Sequence, residues 1–305
     1  MPDNAAATSA QQDFAAWLED LRSTLLASEP DLLPLFDVFA NEARFGRAWL
    51  DSDLAVLPSG SKVLEVGAGA LLLSCQLARE GFAVTALEPL GDGFSSFLQL
   101  QALVRRRAAE AGIFFEIIDQ TVEAFAVENT YRLAYSINVM EHIQDVGSGL
   151  TAVCRSLADG GRYRFTCPNY LFPYEPHFDL PTLLSKALTQ RMLWSRIVNS
   201  RQVAEPEAMW HSLNWINPLQ VARALRQIAG CRFSFDKRVF ERALERLSTD
   251  AQFAGRRSRP VRLVSSLVVR CGLHRLTRFL PACMLPVIDC TIDMRRAQAC
   301  AADRR

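Results

Sequence analysis

The 305-residue chain reads as an α/β protein with a mainly parallel sheet covered by helices on both faces. Three observations predict this. Short apolar runs rich in Val, Leu and Ile alternate with longer stretches of helical periodicity. Glycines stand where the helical patterns stop, and several strand patterns close on Asp, Glu or Asn. Half of the residues are apolar, enough for one large α/β domain with additions or for two small domains.

The elements follow in order. Residues 1–10 read as disordered, and helical patterns run over about 13–27 and 32–51, the first with an apolar stripe at Trp17, Leu18, Leu21 and Leu25. Together they suggest a helical extension over 1–58. Strand one spans about 62–66 and its helix 70–80, which Gly81 stops. Strand two is 83–87, followed by a helix over 94–111 that ends at Gly112. Strand three runs over 113–118 and closes on Asp119; strand four covers 133–137 and closes on Asn138. A helix at 146–158 ends in Asp159-Gly160-Gly161, and strand five follows at 162–166. Over 167–217 the alternation breaks into a stretch rich in Pro, aromatics and His, the composition of a lid inserted at a carboxyl strand end. Pro218 opens a helix over 218–229, strand six is 231–235, and a helix follows at 237–247. Beyond the core region of 59–250, a basic segment over 251–305 carries arginines among apolar residues at 260–280 and a last strand at 287–294.

Bulk charge narrows the function classes. The formal net charge is +1, so no general attraction to nucleic acid is implied. The distribution is uneven: 11 Arg and 3 Asp after residue 250 give +8 there, and the first 250 residues carry −7. The eight cysteines form no C-x-x-C, and no Cys/His cluster has zinc-finger spacing. With no secretory pattern at the N-terminus and no apolar run of membrane-spanning length, a reduced cytoplasmic setting is expected. The 260–280 stretch leaves two readings: an amphipathic element at an anionic membrane, or a helical cover packed on the sheet. The cover is the favoured expectation.

The run Val63-Leu64-Glu65-Val66-Gly67-Ala68-Gly69-Ala70 is a buried strand that ends in an acid and turns through two glycines. Glycine admits close backbone approach to a ligand because no Cβ intervenes. The next strand ends in Glu88-Pro89, placing a carboxylate where ribose hydroxyls would be held. Two cofactors suit such a layout. A dinucleotide requires a third glycine, where this chain has Leu72. S-adenosylmethionine lacks the pyrophosphate and does not need that geometry.

The order of motifs resembles the class I S-adenosylmethionine-dependent methyltransferases. The matching pieces are LEVGAGA (64–70), ALEP (86–89), Asp119 in IIDQTVEAF, SINVMEHIQD (136–145) and LADGGRYRFTCPN (157–169), within a span of about 60–240. Within that family the chain is most similar to the subgroup containing the ubiquinone-pathway O-methyltransferases, which shares a Glu-His pair after strand four and a later His-to-Pro element, here His211 to Pro218. The resemblance implies a Rossmann-like seven-stranded sheet with an antiparallel last strand, and S-adenosyl-L-methionine as cofactor. It implies that Glu65 and the Gly67-Ala68-Gly69 backbone hold the methionine end and that Glu88, with Pro89 beside it, takes the ribose. Asp119 with Gln120 and Thr121 would take the adenine, and Asn138 would line the floor near the methyl group. The family's third small glycine is expected where Ala70 stands, which Ala tolerates at negative φ.

Three histidines are candidate bases for a hydroxyl acceptor: His142 after Glu141, His177 in a Pro- and Tyr-rich loop, and His211. Glu141 and these histidines are also residue types that hold a divalent ion, but their spacing does not show that they meet, and no metal is assigned. The sequence thus predicts methyl transfer, at oxygen, to a small-molecule or lipid- or sugar-linked acceptor. A nicotinamide-dependent oxidoreductase and a non-catalytic cofactor-binding partner protein are the alternatives.

Overall fold

A computed structural model describes residues 4–89, 95–203, 205–249, 255 and 259–295. Seven strands form one sheet in the order β3-β2-β1-β4-β5-β7-β6. They are β1 (Lys62–Val66), β2 (Ala83–Leu87), β3 (Glu116–Ile118), β4 (Tyr131–Ile137), β5 (Leu157–Pro168), β6 (Cys231–Phe235) and β7 (Val287–Met294). β1 pairs in parallel with both β2 and β4, β2 with β3, and β6 with β7 antiparallel. The predicted α/β class and the reversed last strand are therefore present.

The helices are α1 (Asn4–Ser28), α2 (Leu33–Trp49), α3 (Asp51–Leu54), α4 (Leu72–Arg79), α5 (Ser95–Glu110), α6 (Val146–Ser156), α7 (Lys186–Val198), α8 (Pro206–Ser212), α9 (Pro218–Leu225), α10 (Val239–Thr249) and α11 (Arg259–Arg270). The expectation of disorder over 1–10 is corrected from residue 4 onward, where the first helix already runs; residues 1–3 lie outside the described residues. The single helix expected over 32–51 is a 3₁₀ turn at Pro30–Leu32 followed by α2 and α3.

By its contacts the chain groups into two compact units. One runs through Ile137 and includes Ala152–Tyr163; the other comprises Asn138–Thr151 and the chain from Arg164 on. In the first unit the stripe of α1 is buried, with Leu18, Leu21 and Leu25 fully covered alongside Phe36 and Leu50. Cys75 on α4 packs there as a small apolar residue.

β5 begins earlier than the sequence indicated. Asp159-Gly160-Gly161, read as a helix end, lies within the strand. Gly160 takes a left-handed φ of 71°, and a Cβ on Gly161 would lie 2.8 Å from the carbonyl oxygens of Ala158 and Tyr131. The glycines serve a tight backbone approach inside the sheet, a need that local sequence does not display.

In the second unit, Asn217 caps α9 by accepting from the Leu219 and Gln220 amides, with Pro218 at the first helical position. The cover expected at 260–280 takes another form. α11 packs on α10 and the turn 273–279, and leaves Leu263, Val264 and Leu267 at 60–74% exposure.

Candidate functional site

In the first unit, Glu65 is the penultimate residue of β1, with its side chain buried. The Ser74 hydroxyl on α4 donates to Glu65 Oε2. Burial pushes the Glu65 carboxyl up to about 8, against the downward pull of the Ser74 hydrogen bond. Gly67 and Gly69 both adopt positive φ, 71° and 51°, and a Cβ on Gly69 would press within 3.0 Å of the Phe39 ring. The turn is held from three sides. The Gly67 amide donates to Leu87 O at 2.8 Å, Gln101 Nε2 donates to Gly69 O at 3.0 Å, and the Gly69 amide donates to Glu88 Oε2 at 2.9 Å. That last bond joins the two predicted landmarks, the glycine turn after β1 and the acid after β2. Burial raises the Glu88 carboxyl, and the Gly69 amide opposes that rise. Pro89 follows and is exposed, and Ala68 is buried under the turn.

Ala70 keeps a negative φ as expected, and the left-handed residue after the second glycine is Leu71, at φ 64°. Leu71 is fully buried, so packing of its side chain holds a backbone conformation that costs an L-residue about 1–2 kcal/mol. Asp119, Gln120 and Thr121 follow β3, all exposed; the Glu88 amide, paired with Ile118 O at 3.1 Å, keeps the end of β3 beside that of β2.

In the second unit, Asn138 follows β4 with a φ of 53°, and its amide donates to Thr166 O at 2.8 Å. The 3₁₀ turn Met140–His142 then presents Glu141, fully buried, and His142. Asn214 clamps this turn: Nδ2 donates to Met140 O and Ile143 O, both at 2.7 Å, while its own amide donates to Glu141 O at 2.8 Å. His142 and His177 meet edge to face, ring centroids 5.7 Å apart. Burial, reinforced by His177, lowers His142 to about 4, so its imidazole is neutral at physiological pH. His177 Nδ1 lies 2.6 Å from Glu175 Oε1; Glu175 is itself fully buried and accepts from the Phe178 amide at 2.7 Å and the Tyr170 hydroxyl at 3.2 Å.

The structure therefore brings two of the three candidate bases together and leaves the third elsewhere. His211 is exposed on α8, its ring 6.1 Å from that of Trp194. Gln101, Ser74, Glu175 and Asn214 were not singled out by sequence reasoning. Gln101 and Asn214 act by reaching partners 32 and more than 70 positions away, and Ser74 reaches back nine to Glu65, which no local spacing signals; Glu175 acts on Tyr170, His177 and Phe178 close by in the chain, where His177 itself was the only signal.

The chain matches a family described as a methyltransferase domain over residues 40–253. It is 42% identical over 279 residues to an uncharacterized protein of Mycobacterium tuberculosis, covering 92% of this chain and 94% of that one. It is also 34% identical over 112 residues to the ubiquinone biosynthesis O-methyltransferase of Cronobacter sakazakii, 36% of this chain and 43% of that enzyme. A solved S-adenosylmethionine-dependent methyltransferase from Mesorhizobium loti superposes on 78% of this chain and 94% of its own, with a TM-score of 0.47 and 15% identity.

Proposed function

The chain belongs to the methyltransferase-domain family, and on that premise we propose that it transfers a methyl group from S-adenosyl-L-methionine to an oxygen of a small-molecule or lipid- or sugar-linked acceptor. The observation that carries this reading is the 2.9 Å bond between the Gly69 amide and Glu88 Oε2. It sets a glycine turn against a half-buried carboxylate at adjacent parallel strand ends, the arrangement that suits a nucleoside. The residues fit the cofactor. Gly67 and Gly69 offer backbone without Cβ, Glu88 offers an acceptor to the ribose hydroxyls, and Glu65 offers a negative charge to an ammonium group. Asp119, with Gln120 and Thr121, stands after β3, next along the sheet, for the adenine end.

When bound, S-adenosylmethionine supplies a methyl group on a sulfonium, whose carbon–sulfur electron pair leaves with sulfur as the acceptor oxygen forms the new bond. The protein's part is alignment and proton handling. Within the second unit, His142 stands against His177 as the candidate acceptor of the hydroxyl proton; burial keeps its ring neutral and at the same time lowers its basicity. His177, oriented by Glu175, is its neighbour in that task. The local similarity to an O-methyltransferase supports oxygen over nitrogen as the acceptor atom.

Calorimetry tests the cofactor assignment. Glu65 carries a proton at pH 7, because its carboxyl sits at about 8. Contact with a cationic ammonium favours the carboxylate, so cofactor binding releases that proton, and affinity rises with pH up to about 8. Titration with S-adenosylmethionine at pH 7 should show saturable binding, with an apparent enthalpy that changes with the buffer's ionisation enthalpy. Absence of binding at millimolar ligand rejects the cofactor; binding with no buffer dependence rejects the Glu65 role.

The basic segment has a proposed role of its own. Arg259, Arg262, Arg270, Arg275 and Arg278 are exposed beside the exposed Leu263, Leu267, Leu276 and Phe279. Charge complementarity favours an anionic bilayer as the occupant of this face, consistent with a lipid-linked acceptor. Among the described residues no helix is long and apolar enough to cross a membrane. The protein should co-sediment with vesicles containing anionic phospholipid and not with purely zwitterionic ones. Leu267→Glu should release it, and equal recovery from both vesicle types would overturn the assignment.

A further inference from the structure

We propose that Glu141, His142 and His177 form a binding site for one divalent first-row transition ion of the Zn2+ class. The three donor atoms all lie within 4.8 Å of one another. Glu141 Oε1 is 4.0 Å from His142 Nε2 and 3.9 Å from His177 Nε2. An ion bound to all three draws these donors inward by about half an ångström to reach the 2.0–2.2 Å ligand distances usual for zinc.

The hydrogen bonds behind the two rings assign their tautomers. Ser212 Oγ donates its only hydrogen to Met209 O at 2.8 Å. Its 2.8 Å contact with His142 Nδ1 is therefore one in which the ring nitrogen donates. Glu175 receives the Phe178 amide, the Tyr170 hydroxyl and His177 Nδ1, and a carboxylate only accepts, so His177 Nδ1 is a donor too. In the neutral form both rings consequently turn the Nε2 lone pair, and not a proton, toward the Glu141 carboxylate. Three Lewis bases converging on one point is an arrangement that a cation stabilises. The second layer matches what such sites use: an imidazole ligand donates its other N–H to a carboxylate or hydroxyl, which fixes the ring and raises its basicity. Access exists as well, since the His142 and His177 side chains are 30% and 22% exposed while Glu141 is fully buried.

Two nitrogens and one carboxylate oxygen select a borderline ion over Mg2+, which prefers all-oxygen ligation. Three protein ligands leave a position open for water or for an oxygen of an acceptor. The existence of the site rests on this geometry alone. Its use in the reaction rests on the methyl-transfer reading: there the ion would acidify the acceptor hydroxyl, and the Nε2 lone pairs would serve it instead of taking the proton directly.

The test uses the full-length, tag-free protein, stripped with chelator and titrated with Co2+ alone. One equivalent should produce visible d–d absorption, Zn2+ should displace it, and a large excess of Mg2+ should not. His142→Ala and His177→Ala should each weaken Co2+ binding at least tenfold. Glu141→Gln, nearly isosteric, should do the same and is the variant to read if either alanine variant fails to fold. Glu245→Gln, in the separate Glu241, Glu245, His274 cluster, should leave the signal unchanged. No stoichiometric band, a band that survives loss of both histidines, or a band lost with Glu245→Gln overturns the proposal. S-adenosylmethionine titrations of the stripped protein read the cofactor assignment separately, so either reading can fail without the other.

Discussion

Replacing Glu88 with alanine is expected to weaken S-adenosylmethionine binding by about 100-fold or more. A carboxylate that accepts from both ribose hydroxyls contributes two charge-assisted hydrogen bonds, each worth about 1.5–3 kcal/mol. The structure adds a second loss. Glu88 Oε2 accepts from the Gly69 amide, so truncation also removes one of the three restraints on the glycine turn. Glu88→Gln keeps an acceptor for Gly69 but loses the charge, and should fall between wild type and alanine. Calorimetry on the three proteins gives the ordering directly. An affinity unchanged in Glu88→Ala would remove the ribose role and with it the strongest residue-level support for a nucleoside cofactor.

The second large effect is on stability. Asp289 on β7 is fully buried and pairs with Arg164 on β5, whose side chain is 8% exposed, with Nη2 to Oδ2 at 3.2 Å. Asp289→Ala leaves a buried guanidinium beside an apolar surface. Breaking a buried pair from one side costs about 3–5 kcal/mol, because the remaining charge has lost its partner but not its burial. Denaturant unfolding should show that loss. The double variant Arg164→Met with Asp289→Leu should recover most of it, since it removes both charges together. A midpoint unchanged in Asp289→Ala would mean that water takes up the Arg164 charge instead, with Arg242 keeping its own partner in Asp236. Such a result would deny the pair its place in joining β5 to β7. The consequence reaches the site, because β5 also carries Thr166, whose carbonyl receives the Asn138 amide.

Much of the fold was legible because its signals are local. β1, β2, β6 and β7 begin and end where the apolar runs and their closing residues placed them. β1 and β2 are short, mostly buried runs bounded by turn formers, which is what a strand within a parallel sheet requires, and β6 and β7, the antiparallel pair, are bounded as clearly. The glycine turn and Glu88 were legible for a related reason: both stand at strand ends, and adjacent parallel strands bring their ends together. The errors fell where the deciding contact is remote. Asp159-Gly160-Gly161 carries the composition of a turn, and only the crowding of Gly161 by Tyr131 O shows that the sheet needs it. Leu71 gives no sign of left-handed backbone, since its conformation is held by the core around it and not by its type. The exposed apolar face of α11 escaped for the same reason: periodicity marks a face as apolar but does not say whether anything covers it.

Sequence alone determined the class of sheet, the order of its strands along the chain, the glycine turn and the acid that answers it. Those follow from periodicity and strand-end chemistry, which act over a few residues. Tertiary structure alone decided that His142 and His177, thirty-five positions apart, share one carboxylate while His211 does not. It also decided which ring nitrogen each of the two presents. The hydrogen bonds that set this come from Ser212 and Glu175, and Asn214 holds the turn that carries Glu141, so the chemistry of the cluster depends on the path of an irregular segment that no local pattern specifies.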